Sequence, residues 1–408
     1  MEPEPDYERG LGLHRSGDLD GAAACYRAVL ASEPTHFGAL HLLGVIEGQR
    51  GRYAEAAALI EQAIDVDAHV AAAHANLGHA RQALGDLLEA LISYQRALAL
   101  QPTHRIALMG KARTCRLLGR LTDALSGYEA ALDLEPDCTE SLMNRGDILL
   151  ALERTADGVA SLRRAAACGA DAERIAFVLG AIGEDVVPPV APPGYLKDLF
   201  DGYADRFDAE LVEGLNYRVP QLLATLVTRN SSRAAIDILD LGCGTGLCGP
   251  QLQPVARRLT GVDLSPGMLE KARARDVYTE LACMELTDYL ASRGGEEFDL
   301  VVAGDVLIYF GDLAPVFAGV RRALRSGGLF AFSVEAAEGP EWELPATRRY
   351  RHAQSYLERL AVEHRFEVVV IERAVVRSEV SKGIWRKPER PLGEGTDVHG
   401  YLALLRAG

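Results

Sequence analysis

A period of 34 residues runs through the first half of this chain and limits what it can fold into. Gly17, Gly51, Gly85 and Gly119 stand at that spacing, as do Ala22, Ala56, Ala90 and Ala124, and Ala63, Ala97, Ala131 and Ala165. Tyr26, Ile60, Tyr94, Tyr128 and Leu162 keep one bulky apolar position in phase. Gly10, Gly44, Gly78 and Gly146 share another column, with Ala112 completing it. Pro34, Pro102 and Pro136 close their units, and Ala68 takes that place in the second. Glycine permits a sharp reversal between two helices. Small residues let the paired helices approach closely, the bulky column fills the space that remains, and proline stops the second helix. Such units bury their apolar faces against one another in sequence.

At this period the columns resemble tetratricopeptide repeats, helix–turn–helix units that stack into a solenoid. Five units fit residues 3–172, and a further helix near 172–183 is expected to cap the stack. The first expected domain is therefore an all-α tetratricopeptide solenoid over 1–183. A solenoid presents a concave groove that takes a protein or peptide partner, or it serves only for assembly and bracing. His14, His36, His41, His69, His74, His79 and His104 scatter over several units without a compact ligand pattern, so no metal site is expected.

Residues 184–194, EDVVPPVAPPG, read as a proline-rich linker. The remainder, 195–408, alternates short β-branched strands with helices, the pattern of a doubly wound α/β sheet. Its strand at Ile236–Leu241 runs into LDLGCGTG (239–246). Gly242, Gly244 and Gly246 let the backbone turn tightly and let a ligand touch it without intervening Cβ atoms. The next strand, LTGVD, ends at Asp263, where a carboxylate can accept both hydroxyls of a ribose. GTGLCG (244–249) is also a literal G-x-G-x-x-G, which keeps a nicotinamide-dependent oxidoreductase as one alternative.

With Asp240 the full register is D-x-G-x-G-x-G, and this run resembles motif I of class I S-adenosylmethionine-dependent methyltransferases. The resemblance implies a Rossmann-like domain with a seven-stranded, mostly parallel sheet. It also implies S-adenosylmethionine as cofactor, with Asp240 and the three glycines at its methionine end and Asp263 on its ribose. VYTELACMEL resembles the third strand, after which Glu285, or failing it Asp288, would reach the adenine amine. FDLVVAGDVLIYFGDL (298–313) resembles the fourth strand and its loop, with Asp305 and Tyr309 facing the reacting centre. LRSGGLFAFSVE (324–335) resembles the fifth strand, and FEVVVIERAVV and GYLALLRA the closing antiparallel pair.

The order of repeats, prolines, DLFDGYADRFDAELVEGLNYRVP and LDLGCGTG is similar to that of tetratricopeptide-repeat-containing methyltransferases of bacteria. By that resemblance Tyr203 and Phe207 belong to a helix folded over the cofactor. RRYRHAQSYLERL (348–360) matches a substrate-side helix, which makes His352 the candidate general base, while Ala353 stands where a serine is expected. SEVSKGIWRKPERPLGEGTD (378–397), with Trp385 and Arg386, is an acceptor-side flap or an exposed loop. The implied activity is methyl transfer to an oxygen or nitrogen of an unidentified acceptor, a small molecule by default. A repeat adaptor with a non-catalytic methyltransferase-like domain is the other alternative.

Charge and composition narrow the rest. Lys and Arg number 43 against 58 Asp and Glu, a net charge of −15, which disfavours a nucleic acid partner. No run of about 18 apolar residues is present, so no membrane span is expected. The seven cysteines form no C-x-x-C, and the opening MEPEPDYERG lacks the marks of a secretory signal. A cytoplasmic protein with reduced thiols is the expectation. The absence of G-x-x-x-x-G-K-[ST] excludes P-loop hydrolysis.

Overall fold

The computed structural model describes residues 3–202, 204, 207–208, 217–379 and 396–408. Their contacts divide into two compact units, one ending at Ala170 and the other beginning at Asp171.

The first unit consists of helices α1 (Pro3–Ser16), α2 (Leu19–Ser32), α3 (Phe37–Gln49), α4 (Tyr53–Val66) and α5 (Ala71–Ala83), then α6 (Leu87–Leu100), α7 (Arg105–Leu117), α8 (Leu121–Leu134), α9 (Thr139–Ala151) and α10 (Thr155–Ala167). Each packs on the next in sequence, as a tetratricopeptide stack requires. The small column is set by contact: a Cβ on Gly10 would lie 2.7 Å from the Tyr26 ring, and one on Gly78 2.8 Å from Tyr94. Where the column carries Ala112, the partner helix supplies Gly127, whose own added Cβ would fall 2.8 Å from that of Ala112. Two of the histidines cap helices. His36 and His104 accept the backbone N–H of Ala39 and Ala107 as N-caps, at 3.1 and 3.3 Å.

The turn glycines Gly17, Gly51, Gly85 and Gly119 all have left-handed φ, between 73° and 86°. The fifth unit has Glu153 at the equivalent place, with φ of 61°. A side chain there carries a steric cost of about 1 kcal/mol. Glu153→Gly is therefore expected to raise the unfolding free energy of the chain by about 1 kcal/mol, read by denaturant unfolding. A loss of stability would contradict the strain.

The second unit contains helices α11 (Ala172–Gly180), α12 (Pro193–Asp201), α13 (Val219–Asn230), α14 (Gly249–Leu252), α15 (Pro266–Ala274), α16 (Leu286–Ser292), α17 (Ala314–Ala323) and α18 (Gln354–Glu363). Its strands are β1 (Ile236–Leu241), β2 (Ala256–Asp263), β3 (Glu280–Cys283), β4 (Phe298–Ala303), β5 (Leu324–Ala336), β6 (Trp342–Glu343), β7 (Arg351–His352), β8 (Phe366–Glu379) and β9 (Thr396–Ala407). The first five run parallel in the order β3-β2-β1-β4-β5, and β9 and β8 follow β5 antiparallel. That is the expected seven-stranded, mostly parallel sheet. Two-residue strands β7 and β6 add to it beyond the end of β4, where β7 pairs with Glu335 and Ala336 of β5.

β1 is buried along its whole length, as a central parallel strand covered on both faces should be. Alternate residues feed two cores. Leu239, Leu241, Val301, Phe330 and Phe332 pack with α16, α17 and α18, while Ile236, Ile238, Leu300, Val302 and Leu404 pack with α13. Strand order reverses between β1 and β4, so their carboxyl ends flank the crevice in which such sheets bind ligands.

The expected cap at 172–183 and linker at 184–194 belong to this second unit. Phe177 of α11 is fully buried against Ala191, Leu344 and Tyr350. The prolines lack N–H groups, yet their carbonyls remain acceptors in an extended chain. Pro189 O accepts from Gly311 and Asp312 N–H at 2.8 and 3.0 Å, and the Tyr350 hydroxyl donates to Pro188 O at 2.6 Å. Ala191 N–H donates to Tyr309 O at 2.9 Å. The stretch is stitched to the loop after β4. No helix among the described residues is long and apolar enough to cross a membrane.

Candidate functional site

The site is built where β1 ends. Asp240 is 1% exposed and accepts a 2.6 Å hydrogen bond from the Tyr278 hydroxyl. Burial pushes Asp240 up to about 7; the phenol opposes that shift and the nearby Asp263 carboxylate adds to it. Beyond it the loop turns through Gly242, Gly244 and Gly246, with φ of 65°, 55° and 84°. A Cβ on Gly242 would strike Val306 at 2.3 Å, and one on Gly246 would strike Tyr278 at 2.8 Å. A Cβ on Gly244 would meet nothing within 4 Å. The loop thus packs tightly beneath and is open above at its middle glycine, the arrangement that lets a ligand lie against backbone.

Asp263, at the tip of β2, reaches across to this loop. Its carboxylate accepts from Gly244 N–H at 2.8 Å and from Ser265 N–H at 2.9 Å. Burial raises its pKa against the pull of these backbone donors. Ser265 in turn caps α15 through Met268 N–H at 3.1 Å. The structure therefore brings Asp240, the three glycines and Asp263 together. Glu285 follows β3, and Met284 N–H donates to Asp263 O at 3.0 Å, which sets this segment beside the β2 tip. Glu285 Oε2 is engaged as the N-cap of α16, accepting Thr287 N–H at 2.7 Å and Asp288 N–H at 3.0 Å. Asp288 lies exposed in the first turn of that helix.

Of the two residues expected to fold over the cofactor, Tyr203 lies outside the described residues. The Phe207 ring is 6.2 Å from that of Phe200 on α12, and Phe200 meets the Tyr309 ring edge-on at 5.5 Å. Two acids fasten this region to the loops. Asp208 accepts from the Thr245 hydroxyl at 2.5 Å and pairs with Arg275, which also donates to Thr245 O at 2.6 Å. Asp201 accepts from the Ser265 hydroxyl at 2.5 Å and from Lys197 at 2.6 Å. Neither acid stands out in sequence, because both sit among other charges in DGYADRFDAE.

On the far side of the crevice, Asp305 follows the end of β4 in a left-handed conformation, φ 59°. Its N–H donates to the Ser333 hydroxyl at 2.8 Å, and its carboxylate is 3.4 Å from Arg377. Burial raises Asp305, while Arg377 and Arg349 oppose the shift. Tyr309 sits in the turn that follows, pushed up to about 12 chiefly by burial. Arg377 of β8 also pairs with Glu335 of β5, both side chains under 5% exposed. Neither charge belongs to a motif; each follows a short, mainly apolar run, in AFSVE and AVVR.

His352 requires a correction. It is fully buried, and its Nε2–H donates to Phe310 O at 2.8 Å and lies 3.2 Å from Gly311 O. It stacks on Tyr356 at 5.9 Å, and burial pushes it down to about 4. A neutral ring with its proton committed to a backbone carbonyl ties β7 to the loop after β4 and is not placed to take a proton from an acceptor. Ala353 begins α18 with no side-chain cap. Residues 380–395, with Trp385 and Arg386 of the expected flap, lie outside the described residues.

Comparison with known proteins agrees with both halves. Residues 239–332 match the family model for the methyltransferase domain, and 7–73, 75–128 and 118–173 match that for the tetratricopeptide repeat. A malonyl-[acyl-carrier protein] O-methyltransferase of Acetivibrio thermocellus is 36% identical over 107 residues, 25% of this chain and 36% of that protein. A ubiquinone biosynthesis O-methyltransferase of a Methylobacterium species is 33% identical over 99 residues, 24% of this chain and 40% of the other. The chain thus matches well under half the length of these relatives. The solved magnesium protoporphyrin IX methyltransferase of Synechocystis PCC 6803, with bound SAM, is 14% identical at a TM-score of 0.39, covering 53% of this chain and 97% of that one. The chain joins tetratricopeptide repeats to a class I methyltransferase domain of the S-adenosylmethionine-dependent kind.

Proposed function

We propose that the second unit transfers a methyl group from S-adenosylmethionine to an oxygen or nitrogen atom of a small-molecule acceptor, and that the repeat half binds a protein or peptide partner. The observation that carries this reading is the loop open over Gly244, with Asp263 beside it. The residues suit the cofactor: Asp263 for the ribose hydroxyls, Gly244 for close backbone approach, and Asp240 for the cationic methionine end. The bound cofactor supplies a methyl group already activated by sulfonium. The chain then has to align the acceptor, exclude water and take up a proton. Asp305, raised by burial at the β4 tip, is the group placed to take it, with Tyr309 flanking. The two relatives named as O-methyltransferases favour oxygen as the acceptor atom.

The test separates the acceptor classes. Cofactor and protein are incubated with a cell extract split by ultrafiltration, and S-adenosylhomocysteine release is measured. Release with the small-molecule fraction is expected. Release with the protein fraction alone would replace a metabolite by a polypeptide acceptor. A thermal shift with NAD(H) and none with S-adenosylhomocysteine would overturn the cofactor.

A pH dependence follows from Asp240. Below about 7 its buried carboxyl is protonated and attracts no ammonium group; above, it is an anion. The affinity for S-adenosylhomocysteine, measured by calorimetry, should rise as pH climbs from 6 to 8. In Asp240→Asn it should be weak and flat over that range. A rise of equal size in the variant would place the titrating group elsewhere.

A further inference from the structure

The loop after β1 is poorly suited to hold its own shape. Gly242, Gly244 and Gly246 are all in the left-handed region, and glycine loses more backbone freedom on ordering than any other residue. Gly244 has nothing packed over it, so the loop has to be fixed from outside. Asp263 holds the Gly244 N–H at 2.8 Å. The next residue, Thr245, is held twice more.

Thr245 is 1% exposed. Its hydroxyl donates to Asp208 Oδ1 at 2.5 Å, and its carbonyl accepts from Arg275 Nε at 2.6 Å. Asp208 Oδ2 accepts from the same guanidinium. The three residues thus close a ring that grips Thr245 by side chain and main chain together. The Arg275 stem also lies against the loop, since a Cβ on Gly246 would fall 3.2 Å from its Cδ. Asp208 and Arg275 are 45% and 26% exposed, and an ion pair so open to water contributes little to folding. Closed on a buried threonine between two glycines, the same pair instead restricts the loop.

We propose that Asp208 is a positioning residue: through Thr245 and Arg275 it holds the glycine loop in its binding shape before the cofactor arrives. This rests on the reading of the crevice as an S-adenosylmethionine site and adds to it a residue outside the glycine motif. Both Asp208 oxygens are taken by protein donors, so it acts through the loop. Without the ring the loop samples other shapes, and the apparent affinity falls with the fraction that remains competent.

The test is a double-mutant cycle read by calorimetric titration of S-adenosylhomocysteine. Asp208→Ala should lose about tenfold in affinity. Its ligand-free melt should stay within about 3 °C of wild type, as expected for an exposed pair. Thr245→Val removes the hydroxyl at nearly constant volume and should itself weaken binding. In that background Asp208→Ala should cost only about threefold or less, because one of its two routes to the loop is already gone. The same tenfold cost in both backgrounds would mean that Asp208 does not act through Thr245 and would overturn the proposal. Undiminished affinity of Asp208→Ala would overturn it too, as would a loss of affinity that merely accompanies a collapsed ligand-free melt. Failure of the wild-type chain to bind S-adenosylhomocysteine would overturn the cofactor reading, and the proposal with it.

Discussion

Asp263→Ala is expected to leave the chain folded and to reduce its affinity for S-adenosylhomocysteine on the order of a hundredfold to ten-thousandfold. Hydrogen bonds to a charged acceptor are worth about 1.5–3 kcal/mol each, and a ribose offers two hydroxyls. Asp263 also holds the site in shape, since its two oxygens take Gly244 and Ser265 N–H. The substitution therefore removes the ligand's acceptor and loosens the loop at once. Asp263→Asn keeps one acceptor oxygen but turns an NH2 toward one of the two backbone N–H donors, so it should fall between the wild type and the alanine variant. Calorimetric titration reads the affinity, and a thermal melt confirms that the fold survives. Undiminished binding to Asp263→Ala would take the carboxylate out of the site.

The second large effect is on stability. Glu335 and Arg377 form an ion pair whose side chains are 3% and 4% exposed, with Asp305 3.4 Å and Arg351 3.7 Å away. Removing one member of a buried pair costs about 3–5 kcal/mol, because the other charge stays buried. In a unit of this size Glu335→Ala should lower the Tm by about 10 °C. Replacing both, Glu335→Leu with Arg377→Met, should recover part of that loss, because the paired charges go together while Asp305 keeps Arg349 as its neighbouring cation. A melt of Glu335→Ala within about 2 °C of wild type would show that Asp305 alone compensates the guanidinium.

What the sequence disclosed and what it hid follow from the range of the interactions. The repeat columns are local, since each pairs residues within one helix–turn–helix unit, and even the exception at Glu153 keeps the left-handed turn of its column. The glycine loop and Asp263 are similarly legible because strand, turn and acid follow in order. The role expected of His352 failed because its environment is remote: the carbonyls that hold it are Phe310 and Gly311. Tyr278 beneath Asp240, and Arg377 against Glu335, are likewise products of strand order, which no local pattern encodes. The 184–194 stretch misleads for a different reason. Proline density predicts an extended chain and says nothing about what its carbonyls will bind.

The most direct measurement is a crystal structure of the chain grown with saturating S-adenosylhomocysteine. Ligand density should lie across Gly244, with the ribose on Asp263 and the amino acid end toward Asp240. An empty crevice at saturation, or density at another place on the sheet, would contradict the assignment of this loop to the methyl donor.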